Sequence, residues 1–319
     1  MFFAPLPISY HTALHAHCRA FDAQSVPLRI SPRHYAAVAL VVLTLIWSFN
    51  WIVLKQVLRY VGPFDFSALR YVFGTLVLGA VMVLRRESPT PPPLLQTALI
   101  GFAQTAGFQA FVQWALVSGG AGKTALLAYT MPFWVVLFSW LILADRPGAR
   151  QWISLAIAAL GLVFILEPWH GLGGNRSAVL AVLGGVCWAL GVVLSKRLFK
   201  RCGATALSLT TWQMFFGTLL LVAIALAVPG KPIEWTPYLV GALFYNGVLS
   251  SGLAWLLWSY VVEKLPANIA GLSRLVIPIA GLGFAWLLLG EVPSVSESIG
   301  IVAICVALAI VSVRRDPRA

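Results

Sequence analysis

The amino-acid sequence predicts an all-α membrane protein in which ten transmembrane helices form two inverted repeats of five helices each (5+5). Three observations support this prediction: an apolar composition, a series of long apolar segments and an internal repeat. Of the 319 residues, 60% are apolar or aromatic and only 10% are charged, whereas soluble domains carry about 25% charged residues. Such a chain has too few polar side chains to cover a water-facing surface.

The apolar residues are gathered in segments of roughly 20 residues, the length that crosses the hydrocarbon core of a bilayer as a helix. Turn-forming clusters rich in proline and glycine separate these segments. The ten predicted spans are residues 36–56, 64–84, 94–117, 122–143, 149–167, 177–198, 205–228, 236–259, 266–289 and 296–313. Because the connections between them are short, the prediction includes no soluble domain that could carry chemistry.

Lysine and arginine are distributed unevenly between the two sets of loops. Fifteen lie on the side of the two termini, five lie on the other side, and two fall within spans. Since positively charged loops stay in the cytoplasm, both termini are predicted to be cytoplasmic, which requires an even number of spans. Residues 1–33 are predicted to form a disordered cytoplasmic tail, and residues 314–319 a basic cytoplasmic tail.

The chain contains two copies of one five-span unit, which we place at residues 34–168 and 176–313. FGTLVL at 73–78 matches FGTLLL at 216–221, an offset of 143 residues. Spans four and nine match at an offset of 146 residues through the pairs Pro132/Pro278, Trp140/Trp286, Asp145/Glu291 and Pro147/Pro293. Because five is an odd number, the two units cross the membrane in opposite directions, an arrangement that places a substrate site near mid-membrane and permits alternating access by rocking one half against the other.

This arrangement, with a proline in spans four and nine and an acidic residue closing each, resembles the drug/metabolite transporter (DMT) superfamily, in particular its EamA-type members. The resemblance covers residues 36–313. It implies a multi-pass transporter of the cell inner (plasma) membrane that exports small organic metabolites, often amino acids or related compounds. It further implies a central cavity walled largely by spans three, four, eight and nine, with contributions from one and six.

Arg274 is the most informative single residue for a binding site. It lies about seven residues inside span nine, on the order of 10 Å deep at the helical rise per residue. An arginine inside a membrane is costly and usually functional, and its planar donor fork suits a substrate carboxylate. Snorkelling to the cytoplasmic surface or an ion pair with Glu263 are the alternatives. Arg70, the other arginine within a span, is expected to pair with Asp65 or to cap the outer leaflet.

Amide, hydroxyl and aromatic side chains gather on the spans expected to line the cavity. Gln109 and Gln113 are four residues apart and therefore share a helix face. The predicted cavity residues besides Arg274 are Trp47, Asn50, Gln109, Gln113, Tyr129, Tyr245, Asn246 and Trp255. Bonding between neighbouring helices is the alternative role for each polar member.

Two prolines within spans are predicted hinges. Pro132 and Pro278 each remove a backbone donor and free the carbonyl four residues earlier. In lipid such a carbonyl needs a protein or water partner, so both kinks should face a packed interior or a hydrated cavity. Packing alone is the alternative role.

The acidic residues fall near the ends of spans. Asp145 and Glu291 follow the carboxyl ends of spans four and nine, where a negative charge opposes the dipole of the helix, and we expect them to act as interfacial anchors. The first span lacks the glutamate with which small multidrug-resistance relatives of this superfamily exchange protons for cations, so cation–drug antiport by that route is disfavoured.

Several other function classes fit the sequence less well. A membrane-embedded enzyme needs an acid/base, nucleophile or metal constellation, and the spans hold no histidine or carboxylate cluster. We therefore predict no catalytic residue, no metal and no cofactor. The basic residues are scattered among loops, which argues against nucleic acid as a partner. The expected partners are a small-molecule substrate and the lipid bilayer, with the protein a monomer or a dimer. A lipid flippase, a channel and a sugar-phosphate or nucleotide-sugar carrier of the same superfamily remain as alternatives.

The predicted orientation can be tested with topology reporters fused to each terminus. We expect an N-terminal and a C-terminal reporter to be active on the cytoplasmic side in both cases, because the loops on that side carry three times as many basic residues. Reporters on opposite faces would contradict an even number of spans.

Overall fold

The computed structural model describes residues 32–167, 176–201, 204–254, 257 and 267–312. Across these ranges the backbone is helical with short connections and contains no strand. We number its helices α1 (Pro32–Gln56), α2 (Pro63–Leu84), α3 (Leu94–Ile100, Gly101–Gly107 and Phe108–Ser118), α4 (Ala121–Ala128 and Met131–Leu143), α5 (Ala149–Leu166), α6 (Arg176–Arg201), α7 (Ala206–Ala227), α8 (Pro237–Phe244 and Tyr245–Leu253), α9 (Ala267–Leu289) and α10 (Val295–Ser312).

Six of these helices are long and apolar enough to cross a membrane, namely α1, α2, α4, α5, α6 and α7. The described parts of α9 and α10 supply two shorter apolar helices. Every described helix coincides with a predicted span to within a few residues. Of the two predicted tails, residues 1–31 and 314–319 lie outside the described residues, whereas residues 32 and 33 belong to α1.

Local capping signals explain where several helices begin. The Thr205 side chain accepts a hydrogen bond from the backbone N–H of Ser208 (3.1 Å) and starts α7. Thr236 does the same for Leu239 (3.2 Å) at the start of α8. Pro237 occupies the first helical position there, where a missing N–H costs nothing. Threonine caps of this kind satisfy backbone donors that the helix itself leaves free.

Three helices depart from regular α geometry. Gly101–Gly107 in α3 and Tyr245–Leu253 in α8 are π-helical, a form with wider turns that is often found at functional sites. The fourth helix is interrupted between Ala121–Ala128 and Met131–Leu143, and Pro132 stands in the first turn of the second segment. Pro278, by contrast, lies inside the continuous helix α9.

The helices of residues 34–168 pack mainly against those of residues 176–313. The most extensive contacts among the described residues join α1 to α9, α4 to α6, α2 to α8, α3 to both α6 and α7, α5 to α10, α2 to α7, and α4 to α9. Each of these pairs takes one helix from each range. The two ranges are therefore intertwined rather than placed side by side.

Small residues bring several of these helices close together. In the α5–α10 pair, a Cβ atom on Gly161 would lie 2.9 Å from the Gly300 carbonyl oxygen, and one on Gly300 would lie 2.6 Å from that of Gly161. In the α2–α7 pair the hydroxyl oxygens of Thr75 and Thr218 are 3.0 Å apart. Backbone approach through glycine and bonds between hydroxyl groups are typical of helix packing in membranes.

Glu291 has a role that the sequence does not predict. Its carboxylate accepts hydrogen bonds from the backbone N–H groups of Ala121 (2.8 Å) and Gly122 (3.0 Å), at the amino end of α4. The expectation that Glu291 opposes a helix dipole holds for α9, but the carboxylate faces the positive end of a second helix. Glu291 therefore caps α4 and ties it to α9.

Lys55 makes the complementary contact at a carboxyl end. Its Nζ donates to the carbonyl oxygens of Leu116 (2.7 Å) and Gly119 (2.8 Å), where α3 ends and the helix dipole is negative. An ion pair between Lys123 and Glu297 (2.6 Å) lies at the same end of the helices. The ends of α1, α3, α4, α9 and α10 are thus joined by charged side chains.

We expect Glu291→Ala to lower the thermal unfolding midpoint of the purified protein, because two backbone donors of α4 lose their acceptor. Loss of a cap with charge-assisted bonds costs about 1–3 kcal/mol. The matched control is Glu234→Ala, which removes an exposed carboxylate that accepts no hydrogen bond among the described residues. Equal midpoints for the two variants would contradict the capping role.

Candidate functional site

A partly open cavity of about 140 Å³ lies between α1, α2, α3, α4, α6, α7, α8 and α9. An engineered cavity of about 150 Å³ in another protein accommodates benzene, so this volume suits a small metabolite rather than a drug-sized molecule. The described residues that line it are Trp47, Asn50, Trp51, Leu54, Arg70, Tyr71, Gln104, Thr105, Phe108, Gln109, Val112, Ala128, Tyr129, Met131, Trp188, Gln213, Met214, Ser250, Ser251 and Ile277.

Aromatic rings form much of the cavity wall. Phe108 and Trp188 meet edge to face with ring centroids 4.7 Å apart, and Trp51 meets Tyr129 at 6.4 Å. Trp47 donates from Nε1 to the Ser250 carbonyl oxygen (3.1 Å), which joins α1 to α8. These contacts hold the rings in place, so the wall presents rigid apolar surfaces to whatever occupies the cavity.

Arg70 is the charged residue among the described lining residues. It is only 6% exposed, and its guanidinium carbon lies 4.9 Å from the centroid of the Tyr71 ring. The Nε and Nη1 atoms are buried and have no hydrogen-bond partner. The cavity therefore carries a positive charge that is in contact with an aromatic ring and has no carboxylate beside it among the described residues.

The expected pairing of Arg70 with Asp65 is wrong. The two residues are five positions apart on α2, and at about 100° per residue their side chains leave the helix about 140° apart. Asp65 instead packs at the start of α2, where its carboxylate lies against Gly62 and Gly230. Arg70 points into the interior, which also excludes the expected role as a cap of the outer leaflet.

Amide side chains supply the other polar atoms around the cavity. The Tyr71 hydroxyl donates to Oε1 of Gln109 at 3.5 Å. Buried amide atoms without a partner are Asn50 Oδ1, Gln104 Oε1, Gln109 Nε2 and Gln213 Oε1. Since buried polar groups in native proteins are nearly always bonded, these atoms are available to water or to a bound solute.

Several lining residues are equivalent positions of the internal repeat. The pairs that line the cavity together are Trp47/Trp188, Arg70/Gln213 and Tyr71/Met214, at the offsets of 141 and 143 residues seen in the sequence. The cavity thus lies between matching faces of the two sequence copies.

The predicted cavity residues fall into three groups. Trp47, Asn50, Gln109 and Tyr129 line the cavity. Gln113, Tyr245 and Asn246 are not among its described lining residues. Trp255 lies outside the described residues, and so does the side chain of Arg274, although its backbone belongs to α9.

The residues of the second group are buried or bonded elsewhere in the helix bundle. Gln113 is fully buried one turn beyond Gln109 and neither end of its amide is bonded. Asn246 donates from Nδ2 to the Ala242 carbonyl oxygen of its own helix (3.0 Å). Tyr245 donates from its hydroxyl to the Ile46 carbonyl oxygen (2.5 Å), which joins α8 to α1. Asn246 and Tyr245 therefore stabilise helices.

Sequence reasoning missed Arg70 as a lining residue, and it also missed Trp51, Tyr71, Gln104, Phe108, Trp188 and Gln213. The repeat contained a signal for one of them, because Trp188 is the counterpart of the predicted Trp47. Gln213 is the counterpart of Arg70, so both members of that pair were missed together. Equivalent positions of an inverted repeat face a common centre, so each predicted lining residue indicates a second one.

The predicted hinge at Pro132 coincides with the interruption of α4. The Ala128 carbonyl that this proline leaves free lies against Gly185 of α6, where a Cβ atom would come within 2.8 Å of the oxygen. Thr130 donates to the Leu127 carbonyl oxygen (2.7 Å) within the interruption. The broken turn thus faces the protein interior, as a break at membrane depth requires.

A second cavity, of about 240 Å³, lies near the joined helix ends and is lined in part by Lys123, Glu291 and Glu297. Its charged groups are already bonded, to one another in the case of Lys123 and Glu297 and to the end of α4 in the case of Glu291. The first cavity is lined by buried polar atoms that have no partner, on Asn50, Arg70, Gln104, Gln109 and Gln213, and it is therefore the better candidate for a binding site although it is smaller. Among the described residues, no group of three or more His, Cys, Asp or Glu side chains could hold a metal ion.

Comparisons with known proteins agree with a transport role. The sequence matches the EamA-like transporter family over residues 34–167 and 175–313. It is 26% identical over 269 residues to the uncharacterized transporter YoaV of Bacillus subtilis, covering 82% of this chain and 91% of that protein. It is 25% identical over 276 residues to the uncharacterized inner membrane transporter YedA of Escherichia coli K12, covering 85% and 89%.

Two further similarities were found. The chain is 24% identical over 266 residues to protein PecM of Dickeya dadantii, covering 83% of this chain and 88% of PecM. A crystal structure with 19% sequence identity matches it with a TM-score of 0.60, covering 87% of this chain and 97% of that one. The latter likeness concerns the fold alone.

Proposed function

The chain belongs to the EamA-like transporter family of membrane proteins, and we propose that it carries small organic metabolites across the cell inner membrane by alternating access through the central cavity. The observation that carries this proposal is the cavity itself, which lies between helices of both sequence copies and is lined in part by unpartnered polar atoms. The direction we propose is export, with amino acids or related compounds as the substrate class.

The ten-span arrangement in two inverted five-helix repeats, at residues 34–168 and 176–313, is part of the proposal. The repeat makes each helix of the first unit equivalent to the helix five places later, so that α1 corresponds to α6 and α4 to α9. The contact α1–α9 is then equivalent to α6–α4, and the contact α2–α8 is equivalent to α7–α3. All four contacts occur among the described residues. The contacts α5–α10, α2–α7 and α4–α9 each join a helix to its own counterpart. Thr75 touches Thr218, its equivalent at an offset of 143 residues, as expected where a two-fold axis passes. With ten spans, both termini lie in the cytoplasm.

The packing favours moving bodies drawn from both halves of the sequence. Because the halves are intertwined, rotating one against the other would separate all of the most extensive contacts. We propose instead two bundles: bundle A contains α1, α2, α8 and α9, and bundle B contains α3, α4, α6 and α7. Of the most extensive contacts, only α2–α7 and α4–α9 join one bundle to the other. Ser48 of α1 donates to the Ile277 carbonyl of α9 (3.0 Å) within bundle A. Ser177 of α6 donates to the Ala115 carbonyl of α3 (2.8 Å) within bundle B.

Charged contacts join the two bundles at one end. Lys55 of bundle A caps α3, and Glu291 of bundle A caps α4. The proposed orientation places this end on the non-cytoplasmic side, so the structure corresponds to a state that is closed toward the outside. Opening toward the outside requires these bonds to break, whereas the bonds within each bundle persist.

The lining residues favour a small organic solute over the alternatives within the superfamily. A sugar phosphate or nucleotide sugar carries at least two negative charges and calls for several basic residues, whereas the described lining residues include one, Arg70. The cavity volume of about 140 Å³ is also small compared with the 300–1,000 Å³ of sites for larger ligands.

A disulfide between the bundles should stop transport. Gly122 in α4 and Ala285 in α9 lie close, with 3.1 Å between a Cβ placed on Gly122 and that of Ala285, near the range that a disulfide spans. With the four native cysteines replaced by serine, we expect oxidised Gly122→Cys/Ala285→Cys to lose efflux of a mixture of amino acids and small organic acids from proteoliposomes. Reduction should restore it.

The matched control joins two helices of the same bundle. Phe73 in α2 and Gly247 in α8 are equally close, with 3.0 Å between the corresponding Cβ positions, so the oxidised Phe73→Cys/Gly247→Cys protein should keep transporting. Efflux by the fully cross-linked Gly122/Ala285 protein would contradict alternating access between these bundles. If the unmodified protein moves no solute above the level of empty liposomes, transport of these compounds itself is contradicted.

Arg274→Ala tests the predicted binding role of this arginine, which lies one turn before the proposed hinge at Pro278. We expect about a tenfold or larger loss of transport of anionic or zwitterionic solutes, the scale of a lost charged hydrogen bond, with normal insertion into the membrane. Arg150→Ala, which removes an exposed arginine at the start of α5, is the control. Unchanged efflux kinetics for Arg274→Ala would remove Arg274 from the site.

A further inference from the structure

We propose that Arg70 binds the carboxylate of the transported solute, so that the cavity selects small metabolites bearing one carboxyl group. This inference rests on the proposed transport function, and it assigns the recognition of negative charge to a residue of α2 inside the described cavity. Four observations carry it: the burial of the guanidinium, the nature of its contacts, the residue at the equivalent position of the repeat, and the chemistry of the facing wall.

The described part of the protein does not compensate the charge of the buried guanidinium. Arg70 is 6% exposed, and its Nε and Nη1 atoms have no acceptor among the described residues. None of the described lining residues is an aspartate or glutamate. An arginine always carries its charge, and taking an unpaired charge out of water is strongly unfavourable. A bound anion would supply the partner that the described lining residues lack.

The contact with Tyr71 does not remove this need. The guanidinium carbon lies 4.9 Å from the ring centroid, which is within the range of a cation–π interaction. Such a contact is weaker than a pair of charge-assisted hydrogen bonds to a carboxylate. It also holds the side chain in place while leaving the Nε and Nη1 donors without a partner among the described residues, which suits a binding group that must be preorganised.

The internal repeat shows that the scaffold does not require an arginine at this place. Gln213 of α7 is the equivalent of Arg70 at an offset of 143 residues, and both line the cavity. The neutral amide of Gln213 thus satisfies the packing in the second copy, whereas the first copy carries the charged Arg70. Because both residues lie at the cavity wall, exchanging one for the other changes which solute can bind rather than how the helices pack.

The wall that faces Arg70 offers groups for the remainder of such a solute. Gln104, Gln109 and Gln213 of bundle B supply amide groups, with unpartnered oxygen atoms on Gln104 and Gln213 and an unpartnered nitrogen on Gln109. Amide oxygens accept bonds from an ammonium or hydroxyl group, and the rings of Phe108 and Trp188 cover an apolar body. A carboxylate on Arg70 therefore links bundle A to bundle B through the bound solute.

The test compares each carboxylate with its primary amide, which is nearly the same size and lacks the negative charge. The probes are glycine, leucine, phenylalanine and 4-methylpentanoate, each beside its amide, in efflux from proteoliposomes and in thermal stabilisation of the purified protein. The variant is Arg70→Gln, which places in α2 the residue that the repeat already carries in α7. The control is Arg176→Gln, because Arg176 makes a similar contact with an aromatic ring (4.6 Å to Trp114) but is exposed and lies outside the cavity.

We expect the unmodified protein and Arg176→Gln to prefer the carboxylate of each accepted pair, in transport and in stabilisation. Arg70→Gln should raise KM for the carboxylate about tenfold or more, the scale of lost charged hydrogen bonds, and change KM for the amide by less than about twofold. A structural role of Arg70 would instead alter both members of a pair equally.

This experiment distinguishes a wrong role for Arg70 from a wrong transport function, because the two would give different results. If Arg70→Gln keeps the preference for carboxylates with unchanged KM, or if the unmodified protein prefers the amides, the role of Arg70 is contradicted and transport stands. If carboxylates stabilise the unmodified protein and not Arg70→Gln while no probe is transported, the binding site stands and the transport function is contradicted. If no probe is transported and none stabilises the protein, both are contradicted.

Discussion

The structure depends on one constraint, which is that a backbone polar group in lipid must find its partner within the protein. Regular helices meet this demand locally, and they make up most of the described chain. The irregular places, namely the π-helical segments of α3 and α8 and the interruption of α4, contact other helices or border the cavity. The carbonyl of Ala128, freed by Pro132, lies against Gly185. Departures from helical geometry thus occur where protein surrounds them, and these are the places where a solute can be bound.

The same low-polarity environment governs the charged residues. At the joined helix ends, Lys55 and Glu291 meet the carbonyl and N–H groups that the helices leave free, so the charges are compensated and the bundles are held together. In the cavity, Arg70 has no such compensation from the described residues. In the proposed mechanism, the paired charges therefore serve the closed state, whereas the unpaired one serves the ligand. A transporter needs both, because the closing contacts must be weak enough to break and the binding group must stay unoccupied by the protein.

The site could be predicted in part, and the residues concerned show why. Trp47 and Gln109 line the cavity as expected, because polar or amphipathic side chains within spans avoid lipid. Asn246 avoids lipid equally well by bonding to its own helix, and its sequence context is no different. Arg70 was assigned to Asp65 by proximity in sequence, but five residues on a helix separate two side chains by more than a third of a turn. The repeat carried information that single residues did not, since Trp188 follows from its predicted counterpart Trp47.

Sequence patterns alone place the chain in the membrane, give the approximate ends of its helices and reveal two related copies. The length of an apolar segment and the position of a capping residue can be read within about 20 residues, and the repeat can be read by comparing such segments with one another. Which polar side chains converge on one cavity, and which bond to neighbouring helices, is visible only in the three-dimensional packing. The direction in which a side chain points depends on how its helix is rotated about its own axis. That rotation is set by packing against helices that are distant in the sequence, so no single segment determines it.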